Sequence, residues 1–134
     1  MGIIRYTNYT FVKPTGPVDQ RTYDYLKGMD AARFGEYVRA AASEKWREFR
    51  ARHAADIYLI AIGAPLALVL LFLEISTVIS AVCALVLLAA FYRSLGLMNS
   101  TFSHVVYVKQ LRSWHRSVRN QVVLTPTYED YASR

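Results

Sequence analysis

IYLIAIGAPLALVLLFLEISTVISAVCALVLLAAFYRSLGLM, residues 57–98, carries charge only at Glu74 and Arg93. A bilayer core about 30 Å thick takes about 20 helical residues, so a run of roughly twice that length reads as two crossings joined by a tight turn. Glu74 divides the run into 57–73 and 75–97, helices of about 25 and about 34 Å at about 1.5 Å per residue. The expected fold class is an all-α membrane protein, a two-helix transmembrane hairpin with flanking amphipathic helices and extended terminal arms. One alternative is a buried helical hairpin in a soluble domain, but core helices there are apolar along one stripe and seldom on every face. Another is a hairpin that enters one leaflet and returns, which the short first arm with Gly63 and Pro65 would permit. Pro65 removes a backbone donor and favours a kink, and neighbouring helices absorb such kinks inside a membrane.

All 16 Lys and Arg lie outside the turn. Lys45, Arg47, Arg50 and Arg52 precede the run, and Arg93 and Lys109 close it, so both flanks belong on the positive side. That side is the matrix of a mitochondrion or the cytoplasm of a bacterium. Only the turn around Glu74, Ser76 and Thr77 reaches the other. The net charge of +6 invites a nucleic-acid reading, but anionic headgroups stabilise each basic residue at such a flank by about 1 kcal/mol. Arg47, Arg50, Arg93 and Lys109 are therefore the candidate headgroup site, and cardiolipin is a fitting phospholipid in an energy-transducing membrane. Positive-inside topology accounts for the same residues without a specific lipid.

Outward from the run, the chain divides into five segments. Residues 1–29 read as an extended N-terminal arm, with Tyr6, Tyr9 and Phe11 among threonines, Pro14, Gly16 and Pro17 opposing helix, and a helical turn over Thr22 to Met29. No apolar run suited to a signal peptide precedes Ile57, and Tyr6 stands where a myristoylation motif needs Ser or Thr. Residues 30–56 read as an amphipathic helix capped by Asp30, with Phe34, Val38, Ala41 or Ala42, Lys45 and Phe49 along one stripe. After the hairpin at 57–98, Gly96, Asn99 and Ser100 suggest a break before a basic helix over 99–124. Residues 125–134, with Pro126, read as an extended tail. An arm with no second element to bury its rings against should lie on a neighbouring protein, which makes Tyr6, Tyr9, Phe11, Tyr128 and Tyr131 the candidate partner-binding residues.

Candidate chemistry is sparse. Glu74 is an acid within the apolar run, but at a turn it reaches water and headgroups. His53 lies 22 residues before Ile75 and His104 lies 29 after it, so the two differ in height by about 10 Å and do not face each other. His115 is further along, and none sits in a metal-ligand spacing. Cys83 is the single cysteine, which excludes a disulfide framework and a cysteine metal site and leaves it as a packing residue. The sequons at Asn8 and Asn99 fall on the positive side and should be unused. Counting from the turn puts Asp56 and Arg93 at nearly one level, so they should form a structural ion pair.

At 134 residues, with about forty in the membrane, little chain remains for a catalytic core. No phosphate-binding glycine loop, nucleophile elbow or supported acid pair occurs. No catalytic residue, metal, small-molecule substrate or nucleic acid is expected, and phospholipid is the sole candidate cofactor. The expectation is a non-catalytic accessory subunit of a large membrane complex, a respiratory-chain complex or ATP synthase of the mitochondrial inner membrane, with both termini in the matrix. Its general plan resembles the two-helix accessory subunits of such complexes, an analogy of architecture that carries no residue over. The alternatives are a membrane-shaping hairpin and a scaffold subunit in a bacterial cytoplasmic membrane.

Overall fold

The computed structural model describes residues 6–133. The expected arm therefore begins, at residues 1–5, outside the described residues. The regular elements among them are all helical: α1 (Gln20–Lys27), α2 (Ala31–Arg52), α3 (Ala54–Tyr58), a π-helical turn (Leu59–Gly63), α4 (Ala64–Leu73), α5 (Thr77–Leu124) and α6 (Tyr128–Ala132). Two helical stretches, Ala54–Leu73 and Thr77–Leu124, each hold an 18-residue window apolar enough to cross a membrane, with window mean hydropathy of 2.3 and 2.1. The described residues form two compact units, one from 6–9 and 47–105, the other from 10–46 and 106–133.

In the first unit the apolar run is helical on both sides of a short turn. Pro65 offers no N–H and would clash with the carbonyl one turn back, and the π-helical turn at Leu59–Gly63 supplies the wider geometry that accommodates it. Glu74 ends α4 in the left-handed conformation, φ 50° and ψ 47°. The Ser76 hydroxyl then accepts from the Ile79 N–H at 3.1 Å and caps α5. A Cβ at Gly63 would stand 3.3 Å from Leu59 Cδ1 and 3.9 Å from Val86 Cγ1, so the missing side chain permits a close approach. Ala67, Cys83 and Ala90 are buried, as small residues are where apolar helices touch.

The second unit has a closed core. Tyr23 and Leu26 of α1, Phe34 and Val38 of α2, Val118 and Val122 of α5, and Tyr131 of α6 pack together. Asp30 starts α2 by accepting from the Arg33 N–H at 2.7 Å. The buried positions of α5 here, Val108, Leu111, Val118 and Val122, recur at three-, four- and seven-residue intervals, the seam of a helix packed along its length. Tyr23 donates to the Thr125 carbonyl at 3.0 Å. Lys27 Nζ donates to Tyr23 Oη at 3.0 Å, to Thr125 O at 2.6 Å and to Pro126 O at 2.8 Å. One ammonium thus makes three hydrogen bonds, two of them to carbonyls just past the C-terminus of α5, where a cation is stabilised by the helix dipole. Burial pushes the Tyr23 hydroxyl up, but Lys27 and Thr125 outweigh it and hold it below the ordinary tyrosine value.

Two segments differ from those expected. The helical turn expected over Thr22 to Met29 is α1, at Gln20–Lys27, begun by Asp19, whose carboxylate accepts from the Thr22 hydroxyl. The break near Gly96 is absent, because α5 continues through it to Leu124, with the Thr101 hydroxyl bonded to Leu97 O at 2.7 Å. The tail is also not wholly extended: Thr127 accepts from the Asp130 N–H at 3.3 Å and caps α6, and Glu129 and Asp130 in its first turn suit the helix N-terminus.

Val122 is 0 % exposed and its neighbour Val123 is 55 % exposed. Val122→Ala should therefore cost about 2 kcal/mol of stability, transfer and cavity terms together. Val123→Ala should change it by less than about 0.5 kcal/mol. Denaturant titration followed by Trp114 fluorescence measures both.

Candidate membrane and partner interface

The first unit leaves its apolar helices largely uncovered. Only 6 % of the most apolar window in Ala54–Leu73, and 11 % of that in Thr77–Leu124, is buried. Leu66, Val69, Phe72, Val78, Leu85 and Phe91 are all exposed. Contiguous apolar surface of that extent is rare on a soluble monomer and marks contact with lipid or with other apolar helices.

At one end of these helices Arg93 Nε lies 3.5 Å from Asp56 Oδ1. The side chains are 53 % and 23 % exposed respectively, so water screens the pair and its worth falls in the surface range. The structure thus brings together the two residues that counting had paired. Arg47, Arg50 and Arg93 are exposed in the same unit, and Lys109 is exposed in the other.

Beside them the arm is pinned to α5. The Thr7 N–H donates to Ser100 Oγ at 2.8 Å and the Tyr9 N–H to Ser103 Oγ at 2.7 Å. Ser103 in turn donates to Asn8 Oδ1 at 2.9 Å. Two serine hydroxyls on a helix thus receive main-chain donors of an extended segment. Ser100, one of the residues that suggested a break, thus serves with Ser103 as the docking rail for the arm.

Tyr9 then joins the two histidines. Its hydroxyl is 3.0 Å from His53 Nε2, and its ring stands edge-on to His104 at a centroid separation of 4.8 Å. Phe49 contacts the same two imidazoles, at 4.5 Å from His53 and 4.7 Å from His104. Arg52 Cζ lies 5.8 Å from the Tyr9 ring centre, within cation–π range. Burial raises the Tyr9 pKa against the lowering effect of Arg52. Burial lowers that of His53, helped by Arg52 and opposed by Asp56. Both shifts favour the neutral forms of Tyr9 and His53, so the rings form an aromatic clamp beside the Arg52 guanidinium. Among the described residues no group of three or more His, Cys, Asp or Glu is placed to hold a metal. The sequence carried no local sign of this cluster, because its members come from segments far apart in the chain.

The remaining residues expected to bind partners are engaged within the second unit. Phe11 packs edge-on to Tyr107 at 5.8 Å and against Trp114 at 6.2 Å. Tyr128 donates to Val18 O at 2.9 Å, and Tyr131 Oη accepts from the Val18 N–H at 3.1 Å. Tyr6, by contrast, is exposed. The premise that the arms have no second element to pack against is thus corrected, since α1, α5 and α6 supply it. A neighbouring open groove of about 540 Å³ is lined by Asp24, Arg33, Glu36 and Tyr37 and carries both signs of charge.

Two measurements check these contacts. An unfolded chain takes up a proton at His53 near 6.5, the folded one only at lower pH. Stability should therefore be fully present above 6.5 and fall as pH drops from 6.5 through the lower folded value. Melting in detergent at pH 7.5 and pH 5.5 should show a larger acid loss in the native chain than in His53→Gln. In a double-mutant cycle, Asp56→Asn and Arg93→Gln should show a coupling of about 0.5 kcal/mol, the scale of a screened pair.

Compared with protein-family models, with curated proteins and with solved structures, the chain matches none, so its activity has to be read from its own residues.

Proposed function

We propose that this chain is a non-catalytic accessory subunit of a large membrane complex, anchored by residues 57–97 as a two-crossing hairpin. The observation that carries this reading is the contrast between its parts. The second unit closes an aromatic core of its own, whereas the apolar helices bury almost nothing against their own chain. A bilayer satisfies the exposed side chains, and helices satisfy their own backbone groups within it. Arg47, Arg50, Arg93 and Lys109 then interact with anionic headgroups, cardiolipin among them. The setting is the mitochondrial inner membrane, with a respiratory-chain complex or ATP synthase as host and both termini in the matrix. In a bacterium the same charge rule gives the cytoplasmic membrane.

Mild-detergent extraction followed by a native gel and mass spectrometry tests the proposal. The chain should migrate with a complex far larger than itself. Migration alone or as a self-oligomer that tubulates vesicles overturns it in favour of a membrane-shaping hairpin. Single cysteines at Thr7 and Ser133, in a chain with Cys83→Ala, should react with an impermeant reagent only after the membrane is opened. Reaction of just one of them in closed membranes overturns the two-crossing topology.

A further inference from the structure

In the second unit α2 and α5 flank an open groove of about 270 Å³, lined by Phe34, Gly35, Val38, Arg39, Arg112 and Arg116 together with Ala31. Its floor is apolar, its rim carries three guanidinium groups and its lining includes no acid. Among the described residues none of Arg39, Arg112 and Arg116 has a carboxylate within 4.0 Å. Arg119 adds a fourth cation nearby, its Cζ 4.9 Å from the Phe34 ring centre.

Two features of the groove weaken the isolated chain. Arg112 and Arg116 stand four residues apart on one helix face, where like charges repel. Gly35 lies inside α2, where glycine lowers helix stability relative to alanine. A Cβ there would meet nothing within 4 Å, so the chain's own packing gives no reason for its absence. Natural sequences concentrate such local conflicts where function requires them. An anion seated between the arginines relieves the repulsion, and a backbone close to Gly35 uses the space that a Cβ would fill.

We propose that this groove docks an acidic, partly apolar segment of a neighbouring protein, its carboxylates on Arg39, Arg112 and Arg116 and an apolar side chain over Phe34 and Val38. The proposal deepens the accessory-subunit reading by giving the chemistry of one partner. A small phosphorylated ligand fits less well, because such sites are enclosed and span about 300 to about 1,000 Å³. Arginine forks match carboxylates in pairs of hydrogen bonds, and the charge complementarity fixes the segment's register.

The test uses the purified full-length chain in detergent and a fluorescein-labelled ten-residue peptide of alternating Glu and Leu. Binding should weaken about tenfold or more in Arg112→Gln/Arg116→Gln and on raising salt to about 0.5 M. Gly35→Ala should weaken binding while raising the melting temperature, which separates lost docking from lost folding. Arg21→Gln, which removes an exposed charge on α1, should leave binding unchanged. A Glu-Ser peptide should bind less well than the Glu-Leu peptide, because it lacks the apolar side chain. Equal binding by the native chain and the double variant, an equal loss in Arg21→Gln, or no binding at all overturns the proposal. So does displacement of the peptide by inorganic phosphate or by phosphatidylglycerol at equal charge, which would assign the groove to a small anion or a lipid. None of these results depends on native-gel migration, so the groove and the accessory-subunit reading fail separately.

Discussion

An α-helix can satisfy its own backbone, but its side chains must still find surroundings of their own polarity. In residues 57–97 they do not find them within this chain. Two helices touching along one line shelter only the residues on that line, and the buried ones here are Ala67, Cys83, Ala90 and Gly96. These residues are small, so the contact is close and narrow, and the large side chains are left facing outward. Helix length, the tight turn at Glu74 and the basic flanks acquire their sense from that imbalance.

The second unit solves the opposite problem. It is small, and its buried side chains include two tyrosines whose hydroxyls need partners once water is removed. Tyr23 and Tyr131 find them on the backbone, at Thr125 and Val18. The polar atoms therefore tie α1, α5, α6 and the arm to one another at fixed points, while the apolar rings supply the burial. Lys27 extends the same network to the carbonyls beyond α5. A polar network of this kind fixes the packing partners of the core as well as filling it.

How much of this was legible in the sequence depended on how local the cause was. The apolar run declares itself by length, and the level of Asp56 with Arg93 follows from equal rise on either side of the turn. Of the expected stripe, Phe34, Val38, Ala42 and Phe49 are buried and Lys45 is half-buried. The continuity of α5 was not legible: Gly96, Asn99 and Ser100 favour a break locally, but Ser100 and Ser103 accept from an arm more than ninety residues away. The fate of the aromatic arms was hidden for the same reason, since composition does not reveal that α1 and α6 exist to receive them. The clamp around Tyr9 joins histidines that counting had set apart, because a third segment bridges the difference in height. The arginine groove is another product of two helices meeting. Its one local trace was a glycine within α2.

The bond between Val18 and Tyr131 has a consequence for biogenesis. The residues are 113 positions apart, and α1, α2 and the end of α5 are all produced before α6. On the ribosome the second unit therefore cannot close its core until residue 131 has emerged, by which time residues 57–97 have already left the exit tunnel. Closure of the aromatic core is thereby placed after synthesis of the apolar helices. Until then Tyr23, Leu26, Phe34 and Val38 lack the side chains of α5 and α6 that cover them, and uncovered apolar surface of that kind is prone to misassociation.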